Sequence, residues 1–112
     1  MKRFMLLLVI CLALSGANKP TLNVSCNPCA SGSAIMFSGD GYPQSQSIDL
    51  EVFDPSGFAF EGWIIQPNGT GAFSVTTSDL VQVGQWKVVT YTLHHNDQNH
   101  RILVAIQLFS VQ

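Results

Sequence analysis

Gly84-Gln85-Trp86-Lys87-Val88-Val89-Thr90-Tyr91-Thr92-Leu93 leads through the polar loop His94-His95-Asn96-Asp97-Gln98-Asn99-His100 into Arg101-Ile102-Leu103-Val104-Ala105-Ile106-Gln107-Leu108-Phe109-Ser110-Val111. Both flanking runs are rich in β-branched and aromatic residues, which suit a pleated, half-buried surface. Two such runs split by a short polar loop predict an antiparallel hairpin. A lone hairpin is marginal in water, so this much apolar surface requires other strands to cover it. The alternation is imperfect. Trp86 and Val88 share one face, whereas Val89, Tyr91 and Leu93 share the other. In the last run Ile102, Val104, Ile106 and Leu108 oppose Leu103, Ala105, Phe109 and Val111. A bulge near Val88-Val89 would reconcile the first run. The competing account is a strand apolar on both faces, with a second face buried against another subunit.

Upstream of the hairpin the chain reads as a series of short strands. Leu22-Asn23-Val24-Ser25-Cys26 alternates weakly, and Ile35 and Phe37 point one way from a second strand. Ile48, Leu50 and Val52 alternate with Asp49 and Glu51, which marks the two carboxylates as a solvated face. Asp54-Pro55-Ser56-Gly57 has the residues of a tight turn. An apolar strand from Phe58 to Gln66 follows, interrupted by Glu61-Gly62, and Pro67-Asn68-Gly69-Thr70-Gly71 turns the chain again. Phe73 and Val75 alternate with Ser74 and Thr76. No helical apolar period occurs beyond the N-terminal segment, so the fold class expected is all-β, with six or seven strands in a sandwich or barrel.

Met1-Lys2-Arg3, the apolar run from Phe4 to Leu14 and the small residues Ser15-Gly16-Ala17 follow the order of a secretory signal peptide. The apolar run is shorter than the roughly 20 residues that span a bilayer, so no stable membrane span is expected after cleavage. Residues 18–112 then form a single domain. The chain carries five basic and seven acidic side chains, for a net charge of −2, and no basic cluster. Nucleic acid is therefore not an expected partner.

Gly39-x-Gly41-Tyr42, Asp54-Pro55-x-Gly57, Gly71-x-Phe73 and Gly84-x-Trp86-x-Val88 recur in that order. This series resembles the immunoglobulin-like modules of bacterial and archaeal surface or secreted proteins, over nearly all of residues 18–112. The resemblance implies an immunoglobulin-like antiparallel β-sandwich of about seven strands, with Trp86 in its core against residues from among Ile35, Phe37, Leu50 and Phe73. It implies a fold and no activity. The chain departs from those modules in carrying Cys26-Asn27-Pro28-Cys29.

In a redox enzyme such a Cys-x-x-Cys opens a helix that activates the first thiol. Here Ala30-Ser31-Gly32-Ser33 leads into a strand, so a local structural disulfide between Cys26 and Cys29 is expected, with free thiols or a metal as alternatives. His95 and His100, with Asp97, form a candidate site for zinc or copper; solvated loop histidines are the competing account. If strands alternate direction, residues 39–47, 67–71 and 94–100 meet at one pole, opposite the cysteines. Tyr42, Gln44, Asn68, His95, Asp97 and Asn99 are the candidate ligand-binding residues there. Asn23-Val24-Ser25 and Asn68-Gly69-Thr70 match the N-glycosylation pattern. No nucleophile–base–acid set and no phosphate loop are visible, so no enzyme and no cofactor are expected.

Three functions remain open from the sequence. The first is a non-catalytic extracellular adhesion module that binds a protein or glycan through clustered loops or a strand edge. The second is a self-assembling subunit of a surface filament or coat, pairing through strand edges. The third is a weak extracellular metal-binding protein using the loop histidines.

Overall fold

The computed structural model describes residues 19–94 and 99–112; the expected signal peptide and the loop residues His95 and Asp97 lie outside them. Seven strands run in chain order: β1 Thr21–Val24, β2 Ile35–Asp40, β3 Ile48–Phe53, β4 Ala59–Ile65, β5 Phe73–Thr77, β6 Gly84–Leu93 and β7 Arg101–Val111. They form two antiparallel sheets in a sandwich-like arrangement, one ordered β1-β2-β5 and the other β4-β3-β6-β7. No helix occurs among the described residues. The hairpin of β6 and β7 is the expected one, joined by residues 94–100.

Between the sheets lies one core. Ile35, Phe37 and Phe73 from the smaller sheet join Ile48, Leu50, Val52, Trp86, Val88, Phe109 and Val111 from the larger. The period-2 pattern of β3 explains its part: Ile48, Leu50 and Val52 occupy alternate positions and are all fully buried. Trp86 is 1% exposed, and its Nε1–H donates to the carbonyl of Gln82 at 2.8 Å. The ring of Phe60 meets it edge-on at 5.2 Å. Burial of Trp86 thus agrees with the sequence reading, and its aromatic partner Phe60 comes from an edge strand.

Two loops are built alike. Asp54 Oδ1 accepts from the amides of Ser56 and Phe58, and Asn68 Oδ1 accepts from those of Thr70 and Ala72. In each, the backbone of the first residue bonds the residues three and four further on. This Asx-type turn places Gly57 and Gly71 at positive φ, where a Cβ is disfavoured. Gly39 has a different reason. A Cβ there would lie 2.5 Å from the Phe73 ring and 2.9 Å from that of Tyr42, so its absence lets both rings pack against β2.

Three expectations need correction. The bulge is not at Val88-Val89. The register shifts between Thr90 and Tyr91, and the unpaired extra residue is Val104 in β7. That extra residue moves Leu103 onto the same face as Ile106 and Leu108. β6 is buried on both faces within this chain: Trp86, Val88 and Thr90 on the inner face, Val89 and Leu93 on the outer. The apolar residues Val89 and Leu93 on its outer face are already buried within the single chain, so β6 itself requires no second subunit. The strand expected from Phe58 begins at Ala59, and Phe58 is 71% exposed beside the turn.

Candidate functional site

Strand alternation places the loops after β2, β4 and β6 at one pole, as expected. They touch. Gln44 Nε2–H donates to the carbonyl of Gly69, Gln66 Nε2–H donates to the Gln44 carbonyl at 2.8 Å, and the Leu93 amide donates to the Ser47 carbonyl at 3.0 Å. Two of the polar side chains proposed to bind a ligand there, Gln44 and Asn68, instead bond within the loops. Asn68 Oδ1 takes the Thr70 hydroxyl at 2.8 Å in addition to its two amides.

Tyr42 leaves the candidate surface altogether. It is 3% exposed, its ring meets Phe73 edge-on at 5.3 Å, and its hydroxyl is 2.9 Å from Thr90 Oγ1. Burial pushes its pKa above the ordinary value of 10.0, partly offset by the Thr90 bond. It is a core residue whose polar tip is satisfied by a buried threonine. His95 and Asp97 lie outside the described residues; Asn99 and His100 are exposed. The rings of His94 and His100 are 6.4 Å apart. No group of three or more His, Cys, Asp or Glu suited to a metal occurs among the described residues.

The outer face of the larger sheet carries a network that the sequence reading missed. Arg101 Nη1 lies 3.0 Å from Asp49 Oδ2 and 3.2 Å from Glu51 Oε2, and its guanidinium stacks on Tyr91 at 3.9 Å. These bonds raise the Arg101 pKa further, chiefly through Asp49. Lys87 sits over Phe53 at 4.8 Å in a parallel arrangement one step along the sheet. Asp49 is thereby buried, against the expectation of a solvated carboxylate. A shallow groove of about 370 Å³ runs beside the network, lined by Asp49, Glu51, Trp63, Ile64, Asn99 and Arg101. Alternation placed Asp49 and Glu51 on one face correctly. Their partner lies two strands away, which no local pattern reveals.

The edges of the two sheets differ sharply. β1 has four residues and β5 five. β4 has an irregular register at Phe60, contains Gly62, and sends Glu61 across to the Thr77 hydroxyl at 2.8 Å. Loss of hydration raises the Glu61 pKa, with Asp79 adding to it and the Thr77 bond opposing it. β7 is the long edge, with eleven residues, no proline and no charge beyond Arg101. Ile102, Leu103, Ile106 and Leu108 along it are each 46–55% exposed. Its end is covered, and β1 also lies close to it. Cys26 and Cys29 are joined in a disulfide, and the segment they close runs parallel to Val111. The Cys29 amide donates to the Ser110 carbonyl at 2.7 Å, and Asn27 Oδ1 accepts from the Ser110 amide at 3.0 Å.

What this surface offers chemically is a row of peptide groups flanked by apolar side chains, suited to an extended strand rather than to a small polar ligand. No protein-family model matches the chain, and the search of curated proteins finds no relative.

Proposed function

We propose that the protein is a non-catalytic extracellular binding module of immunoglobulin-like fold that takes an extended protein segment along the free edge of β7. The observation that carries this reading is the combination of length, apolarity and missing charge on that one edge. Natural sheets blunt exposed edges with charges, prolines, bulges or brevity; β1 and β5 are short and β4 is bulged, whereas β7, though bulged at Val104, is long and exposes Ile106 and Leu108 beyond the bulge. The loop pole supports binding less well, because Gln44, Gln66 and Asn68 bond within it. The strand order, with β4 beside β3 and β7 beside β6, supports an immunoglobulin-like arrangement. The Cys26–Cys29 disulfide and the signal-like start support an extracellular setting.

The test compares two variants for saturable binding to the native envelope or matrix. Ile106→Lys, on the β7 edge, is expected to abolish binding, whereas Gln44→Ala, at the loop pole, is expected to leave it unchanged. The opposite result moves the binding surface to the loops, and no saturable binding by the wild type refutes the reading.

A further inference from the structure

Gly62 stands in the middle of β4 although the fold makes no demand for a glycine there. It is not among the glycines at positive φ, and a Cβ would come no closer than 3.4 Å, to the Leu50 carbonyl, an ordinary contact. The register shift of β4 falls at Phe60, two residues away, so a bulge does not explain it. Glycine loses more conformational freedom on folding than any other residue, and inside a strand it often marks the close approach of a ligand. Gly62 pairs with Glu51 and Ile64 with Asp49, so all four share the outer face of the larger sheet. The missing side chain leaves open the groove of about 370 Å³ that Asp49, Glu51, Ile64 and Arg101 line with it. The wall of this groove carries unused hydrogen-bonding capacity. Arg101 Nη1 spans Asp49 Oδ2 and Glu51 Oε2. Among the described residues no further hydrogen bond reaches these three side chains, which leaves Asp49 Oδ1, Glu51 Oε1 and the Nε–H and Nη2–H groups of Arg101 without one. The Asp49 side chain is only 10% exposed, and a buried polar atom without a partner requires an explanation.

We infer that this groove binds a neutral saccharide, at a site separate from the strand edge assigned to an extended protein segment. Its free groups are acceptors and donors side by side: two carboxylate oxygens and the remaining guanidinium N–H groups. A cation would meet the guanidinium and an anion the two carboxylates, whereas a hydroxyl both donates and accepts and suits either. Neighbouring ring hydroxyls of a sugar repeat that dual character. Ile64, half-exposed beside Gly62, offers an apolar surface to the C–H groups of the ring. Without a side chain at Gly62, the ring can lie against the sheet next to Glu51. The network is also pre-formed. Two carboxylates hold Arg101 and its guanidinium stacks on Tyr91 at 3.9 Å, so little side-chain freedom is lost on binding. Small-molecule pockets run from about 300 to 1,000 Å³, and this one, near the lower end, has room for a mono- or disaccharide. Charge-assisted bonds supply the affinity, but the groove is shallow and water competes for each of them. The dissociation constant should therefore lie in the millimolar range.

The test titrates the full protein with the methyl glycosides of glucose, galactose, mannose and N-acetylglucosamine, each to about 50 mM, and follows N–H shifts by NMR. At least one glycoside should shift the Gly62 and Glu51 amides and the Arg101 Nε–H saturably. Butylamine and acetate, a pure cation and a pure anion, should not. Gly62→Val places a branched side chain in the groove and should abolish the shifts, while the variant melts at or above the wild-type temperature. Glu51→Ala removes one free acceptor and should weaken binding by at least about fivefold. Gln44→Ala, at the loop pole, should bind as the wild type does. No saturable shift with any of the four glycosides overturns the inference, as does tighter binding of butylamine or acetate. Unchanged binding in Gly62→Val or Glu51→Ala, or its loss in Gln44→Ala, places the sugar elsewhere and overturns it too. A Gly62→Val protein that melts well below the wild type shows that the glycine serves the fold, and the reason for assigning the groove a ligand falls with it.

Discussion

Replacing Trp86 with alanine probes the packing of the two sheets directly. The indole is 1% exposed within a core drawn from both sheets, so its removal opens a cavity that rigid strands cannot close. Large aromatic deletions of this kind cost about 3–5 kcal/mol. The lost bond to Gln82 adds less, because that residue is exposed and water replaces the donor to its carbonyl. A small domain has about 5–15 kcal/mol of stability in total, so the variant should sit close to its unfolding threshold at room temperature. With a urea dependence of about 1–3 kcal/mol per molar, a loss near 4 kcal/mol moves the midpoint by about 2 M. Trp86→Phe retains an aromatic ring against Phe60 and should lose about half as much. Urea titrations followed by far-ultraviolet circular dichroism give both numbers on one scale. A Trp86→Ala midpoint within about 0.3 M of the wild type would refute the reasoning, because no buried tryptophan of this size can be lost so cheaply.

Other outcomes follow from single contacts. Tyr42→Phe should cost about 1–2 kcal/mol at neutral pH, since it leaves the Thr90 hydroxyl unsatisfied in the core. Because folding raises the Tyr42 pKa, the folded state keeps its proton longer than the unfolded one, and wild-type stability should fall as pH rises above 10.0. Melts at alkaline pH should show a shallower fall in Tyr42→Phe. Cys26→Ser with Cys29→Ser opens a four-residue loop worth about 2 kcal/mol on loop-closure grounds, and amide exchange should locate the loosening at the end of β7. Gly71→Ala should cost more than about 2 kcal/mol in a thermal melt, because its Cβ would overlap the Tyr42 backbone at a positive φ. A double-mutant cycle on Arg101→Ala and Asp49→Ala should return a coupling of about 1 kcal/mol, modest because Arg101 is one-third exposed.

Much of the fold could be read locally, and the parts that could not share one cause. Ile48, Leu50 and Val52 announce their face because Asp49 and Glu51 interrupt them, so the phase of β3 is fixed within five residues. In β7 the run from Ile102 to Ile106 holds no polar marker, and nothing in it fixes the phase. The bulge could be inferred from the conflict between β6 and β7, and its assignment to Val104 could not. Tyr42 misled for a related reason. A tyrosine beside two glycines in a polar loop looks like a ligand contact, and only the folded chain brings Thr90, 48 residues away, under its hydroxyl. Cys26 and Cys29 were the opposite case: the absence of a following helix sufficed to separate a structural bridge from a redox pair.

The free edge of β7 raises a question that stability can answer. If Ile106 and Leu108 were exposed only because the fold requires apolar residues there, charging them would weaken the monomer. Both lie on the outer face, opposite Val89 and Lys87, and each is about half exposed, so neither completes the core. Ile106→Lys gains a position near Glu51, which lies across Val89 on the next strand, and Leu108→Glu gains Lys87 directly opposite. Each change should therefore alter monomer stability by no more than about 0.5 kcal/mol, the range of ordinary surface substitutions. Meanwhile each removes apolar area from the long β7 edge, whose one charge is Arg101 at its start, and solubility should rise. Chemical denaturation at low micromolar concentration isolates the monomer term. A loss above about 2 kcal/mol in either variant would mean that these side chains serve the fold itself, and the reason for assigning β7 a partner would disappear.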